Sequence, residues 1–153
     1  MSEPNYAANI IATLATLPEF LRKPMLSVRI SEFPGLPKEE QIDIIRNALD
    51  ASPTIEFDKF AALLQTWLEI LSDQTADDRR ALLDAYAGEI LSDPAKLAQL
   101  HMDGIVGVFL KLDTNRQNVI IATLRSILND MSDADKARLI LLMPDSIKQM
   151  LNI

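Results

Sequence analysis

Thr75-Ala76-Asp77-Asp78-Arg79-Arg80, followed by Leu82, Leu83 and Tyr86, reads as the opening of a helix. A hydroxyl residue at the start accepts the backbone N–H three residues on, and acids in the first turn complement the positive end of the helix dipole. The apolar residues then fall on one helical face. The same grammar recurs three times. Gly35-Leu36-Pro37-Lys38-Glu39-Glu40-Gln41 precedes Ile42, Ile45 and Leu49. Asp113-Thr114-Asn115-Arg116-Gln117 precedes Ile120, Ile121, Leu124 and Leu128. Ser132-Asp133-Ala134-Asp135-Lys136 precedes Ala137, Leu139 and the aliphatic run to Met143. Thr75/Asp78 and Ser132/Asp135 resemble capping boxes with Asp in place of Glu.

A second kind of start uses proline, whose missing N–H costs nothing in a first helical turn. Ser52-Pro53 leads into Phe57, Phe60, Leu63, Leu64, Trp67 and Leu68. Asp93-Pro94 leads through Leu97 and Leu100 to Phe109, and Met143-Pro144 leads into Ile147, Met150 and Leu151. Leu17-Pro18 is followed six residues later by Pro24, which predicts a short turn over 18–22 and a helix from Pro24 to Phe33. The two kinds of start alternate, and cap-type starts near 37, 75 and 113 are 38 residues apart. That spacing fits stacked helical hairpins, and an up-and-down bundle with short loops produces similar regularity. The expectation is an all-α fold of about eight short helices, as a bundle or a short stack of hairpins. It forms a single domain over 1–153, with residues 1–5 flexible.

Composition narrows function by exclusion. The chain has 153 residues, 48% hydrophobic and 24% charged, an ordinary globular balance. With no cysteine, disulfides, thiolate metal sites and cysteine nucleophiles are excluded, and one histidine, His101, excludes a multi-histidine metal site within one chain. The net charge of −7 argues against a nucleic-acid-binding face. The N-terminus lacks a basic n-region and no stretch of 18 apolar residues exists, so the sequence predicts a cytoplasmic protein without a membrane span. Phosphate loops, nucleophile elbows and dinucleotide fingerprints are missing. No cofactor, no metal and no catalytic group are expected.

The segment Met131-Ser132-Asp133-Ala134-Asp135-Lys136 through Leu142-Met143-Pro144-Asp145 to Met150-Leu151 resembles one unit of a known helical superhelix. That superhelix occurs in the N-terminal domain of MgtE-type magnesium transporters and in flagellar motor switch proteins of the FliG kind. There an acidic cap opens one helix and a Leu-x-Pro step opens the next. The resemblance covers about twenty residues and more loosely 36–49; 75–91 and 113–128 lack the Leu-Pro step. It implies a protein-contact or regulatory domain.

Several residues stand out as a candidate ligand or partner surface. His101 is expected at a helix surface beside Leu97 and Ile105. Gly104 and Gly107 lie where a helix is expected, and each costs roughly 1 kcal/mol against alanine. They predict close approach of another helix, an apolar ligand, or a loop over 103–107. Trp67 is a core residue or an interface anchor, and Tyr86 has a hydroxyl able to tie two helices together. Acidic pairs at Glu39/Glu40, Asp77/Asp78 and Asp133/Asp135 are explained by capping. The C-terminal segment 132–153, with Leu139, Leu142, Met143, Ile147, Met150 and Leu151, either completes the core or forms a dimer surface. The leading expectation is a non-enzymatic interaction or regulatory domain that binds a protein partner or itself. The alternative is a carrier, with Trp67, Phe60, Phe109, Met102 and the two glycines lining an apolar cavity.

Overall fold

The computed structural model describes residues 6–153, with side chains from Ile10 onward. The expected flexibility of residues 1–5 lies outside that range. About 85% of the described residues are helical, with no strand among them. The helices are α1 (Tyr6–Thr16), α2 (Glu19–Glu32), α3 (Lys38–Ala51), α4 (Phe57–Asp73), α5 (Ala76–Ser92), α6 (Ala95–Ala98), α7 (Met102–Leu110), α8 (Thr114–Asp130), α9 (Asp133–Leu142) and α10 (Asp145–Leu151). Short 3-10 turns at Phe33–Gly35 and Ser52–Thr54 lead out of α2 and α3.

The cap-type starts form as their chemistry dictates. Thr75, Asp113 and Ser132 each accept the backbone N–H three residues on, from Asp78, Arg116 and Asp135. Pro18, Pro37, Pro94 and Pro144 stand immediately before α2, α3, α6 and α10, so proline punctuates the remaining starts except α4, α7 and α1.

The structure corrects the sequence reading in four respects. Among the described residues ten helices replace the expected count of about eight. α2 begins at Glu19 rather than Pro24, and Pro24 lies inside it. At the sixth position its ring removes one hydrogen bond to the carbonyl of Phe20, and both residues lie on the solvent side, where a freed carbonyl costs little. The helix expected from Pro94 to Phe109 is broken at Gln99–His101 into α6 and α7, upstream of both glycines. Pro53 sits in the 3-10 turn, and α4 waits until Phe57.

Seven of the helix starts, Glu19, Lys38, Phe57, Ala76, Ala95, Thr114 and Asp133, fall 19 residues apart, while α1, α7 and α10 begin off that spacing. α1 packs on α3, α2 on α4, α3 on α5, α4 on α7 and α5 on α8, so the dominant neighbours skip one helix along the chain, or two where the short α6 intervenes. α4 also touches α1 and α8, which places it centrally. The main core gathers Leu14, Ile30, Ile45, Leu49, Leu71 and Ile120. A second cluster of Leu128, Leu139 and Leu151 ties α9 and α10 back to α8. Asn152 closes α10 in the left-handed conformation, with the Ile153 N–H donating to the Lys148 carbonyl.

Candidate functional site

The fourth residue of a helix here often carries a long donor that reaches back to the preceding turn. Arg22 donates to the Leu17 carbonyl at 2.9 Å, and Arg79 to Gln74 at 2.8 Å and Ser72 at 3.3 Å. Gln41 donates to Phe33 and Pro34, and Gln117 to Leu112 and Leu110. These carbonyls cluster at or just beyond the ends of preceding helical elements, where unpaired acceptors and the negative end of the dipole favour a donor, above all a cation.

Both arginines also reach across to another helix. Arg22 Nε donates to Thr66 Oγ1 on α4 at 3.2 Å, and Arg79 Nε to Thr123 Oγ1 on α8 at 2.8 Å. The two threonines in turn donate to carbonyls of their own helices, Ala62 and Val119. All four side chains are buried, and the arginines have no carboxylate partner among the described residues. Next to each clamp, Lys23 meets Glu69 at 3.4 Å and Arg80 meets Ser126 at 2.8 Å. Arg46 of α3 pairs with the buried Glu89 of α5 at 2.8 Å.

Against this framework one helix face stands bare. Phe20, Leu21, Met25 and Val28 of α2 are 74%, 44%, 47% and 57% exposed. With the exposed Pro24 they fall on the side opposite the buried Arg22, Leu26 and Ile30. The seventh residue is buried in α4, α5, α8 and α9, as Leu63, Leu82, Ile120 and Leu139. In α2 and α3 it is Met25 and Ile44, both exposed. The tenth residue of α4 and α8 is a buried threonine; in α2 it is exposed Val28. Arg29 and Glu32, at the edge of this face, have no ion-pair partner among the described residues.

The residues nominated from sequence are placed differently. Trp67 is half-buried against Tyr86, ring centroids 5.5 Å apart in an edge-to-face contact. The Tyr86 hydroxyl has no hydrogen-bond partner among the described residues, so the tie between helices is made by its ring; burial pushes the phenol up to about 12. His101 is exposed at the break before α7 rather than on a helix beside Leu97, and its ring lies 4.7 Å from that of Phe57. At Gly104 a Cβ would come within 2.3 Å of the Phe57 ring, so this glycine makes room for an aromatic side chain and not for a helix backbone. Gly107 faces open space, with no close approach at all. Phe109 packs at the edge of the main core. Leu142 and Met150 are half-buried, while Leu139 and Leu151 beside them are buried; Leu141 is left 81% exposed. A shallow groove at this end is lined by Arg125, Leu128, Lys136, Leu151 and Asn152.

Reading Pro24 as a helix start cuts Phe20 and Leu21 away from Met25 and Val28, which hides the α2 face from the sequence. The clamps had a visible signal: Arg22 and Arg79 are 57 residues apart, as are Thr66 and Thr123. No helix among the described residues is long and apolar enough to cross a membrane. Comparison with protein-family models, with curated proteins and with solved structures finds no match for this chain.

Proposed function

We propose that the chain is a non-enzymatic helical interaction or regulatory domain, built as a short stack of helices that recognises a protein partner. The bare apolar face of α2 carries this reading. Four large apolar side chains and a proline on one helix side form a patch of the kind that marks a protein contact. The even spacing of helix starts and the two matching clamps support a stack over an irregular bundle. The resemblance of the last element to MgtE-type and FliG-type superhelices belongs to the same reading. The partner surface is placed on α2 rather than on segment 132–153, because Leu139 and Leu151 are committed to the second cluster. A carrier role is less well supported, since the ring of Phe57 occupies the space at Gly104 where a ligand would lie.

Native mass spectrometry of the protein purified from its source separates the readings. A second polypeptide in the complex is the expected result. A co-purifying small molecule with no second chain would replace the interaction domain with the carrier.

A further inference from the structure

The outer side of α2 has a register that the rest of the molecule explains. On α4, the tenth and thirteenth residues, Thr66 and Glu69, receive the fourth and fifth residues of α2, Arg22 and Lys23. On α8, the tenth and thirteenth residues, Thr123 and Ser126, receive the fourth and fifth residues of α5, Arg79 and Arg80. The tenth and thirteenth residues of α2 are Val28 and Ser31, and both are exposed. α2 therefore presents, uncovered, the face with which α4 and α8 hold a neighbouring helix.

Building on the interaction reading above, we infer that this face docks an amphipathic helix of a partner protein, laid on α2 as α2 is laid on α4. The register defines the chemistry of that helix. Val28 offers no lone pair, so an arginine at the fourth position would lose its acceptor and be desolvated against methyl groups. The docked helix therefore carries an aliphatic residue there. Its apolar stripe covers Phe20, Leu21 and Met25. A carboxylate on its flank answers Arg29, which is exposed and has no ion-pair partner among the described residues.

The same register argues against a second copy of the chain. In a head-to-tail contact α9 would lie on α2, and its fourth residue is Lys136, whose ammonium would come to rest on Val28. In an antiparallel two-fold pairing of α2 with itself, the same flank of each helix faces the other, which gathers both Arg29 side chains at one edge.

The test uses capped peptides of residues 18–33, the segment that packs on α4, in the natural form and with Arg22→Leu. Each is titrated into the isotopically labelled full chain. The expected result is amide shifts at Met25, Val28 and Ser31 with the Arg22→Leu peptide, and binding at least about tenfold tighter than for the natural peptide. Val28→Thr in the chain should bring the two affinities together by restoring an acceptor. Shifts absent at millimolar peptide, or equal affinities for the unaltered chain, would overturn the inference. So would sedimentation velocity showing a dimer that Val28→Glu returns to monomer, because the occupant would then be a second copy. The Met25→Glu/Val28→Glu variant separates this inference from the broader reading. If its thermal melt is unchanged and the partner seen by native mass spectrometry still binds, the interaction domain stands and the α2 dock falls.

Discussion

α2 and α5 are built alike and end in opposite circumstances. Each carries a buried arginine at its fourth position, closes the turn before it, and clamps a threonine on a later helix. Behind α5 lies α3, joined to it through Arg46 and Glu89. Behind α2 lies solvent. The seventh residue follows accordingly, Leu82 being 4% exposed and Met25 47%. Both residues are long and apolar. What separates them is whether an earlier helix covers that side, so for this pair burial belongs to the place in the packing order more than to the residue.

The sharpest way to break the comparison is to truncate both. Leu82→Ala should lose about 3 kcal/mol, within the range for a large buried side chain in a site that relaxes little. Met25→Ala should lose under about 0.5 kcal/mol, as a surface change does. Denaturant unfolding of the two variants checks this. Equal losses would mean that the α2 face is covered in solution.

The eleventh position extends the contrast and adds a pH dependence. In α2 it is exposed Arg29; in α5 it is Tyr86, held against Trp67 with its phenol raised to about 12 by burial. An unfolded tyrosine ionises near 10. The raised folded value means that the neutral phenol's contribution is complete below pH 10 and is lost as pH climbs from 10 towards 12. The difference is worth at most about 2.7 kcal/mol. Lysines titrate in the same window, so the measurement is the stability difference between the natural chain and Tyr86→Phe at pH 9 and at pH 11.5. The phenylalanine variant should lose less over that interval. Parallel loss would show that the hydroxyl is open to water.

Much of the helical framework was legible in the sequence because its starts are written locally. Thr75, Asp113 and Ser132 bond within their own first turns, and Pro37 and Pro94 fix the backbone just ahead of α3 and α6. What failed was decided at a distance. Pro24 stops a helix only if the lost hydrogen bond faces protein, and here it faces water. The break at Gln99–His101 has no proline or glycine to announce it, and the glycines that follow are helical. Gly104 reads as a cost until Phe57, 47 residues earlier, is seen against it. The candidate site was the least legible part, since the bareness of α2 depends on which helix is not behind it.

Lys136 completes the comparison, because it holds in α9 the position that Arg22 and Arg79 hold in α2 and α5. It donates to no carbonyl and to no hydroxyl of another helix among the described residues, whereas Arg79 makes three such bonds. A hydrogen bond from a charged donor contributes roughly 1.5–3 kcal/mol, and acceptors left unpaired in the interior add their desolvation. Arg79→Met keeps the aliphatic length and removes the donors, so it should lose about 2 kcal/mol, with Arg22→Met close to it. Lys136→Met should change stability by less than about 0.5 kcal/mol, the range of an ordinary surface substitution. Arg79→Lys should fall between, since an ammonium can satisfy one carbonyl but cannot fork to the carbonyls and Thr123 together. Urea melts of the four variants rank them. If Lys136→Met costs as much as Arg79→Met, a fourth-position cation contributes without the hydrogen bonds that Arg79 makes, and the clamp is incidental. If it costs nothing, the bonds to the preceding turn and to Thr123 together turn a surface cation into a clamp, and Val28 in the threonine's place on α2 leaves that face able to receive an apolar side chain.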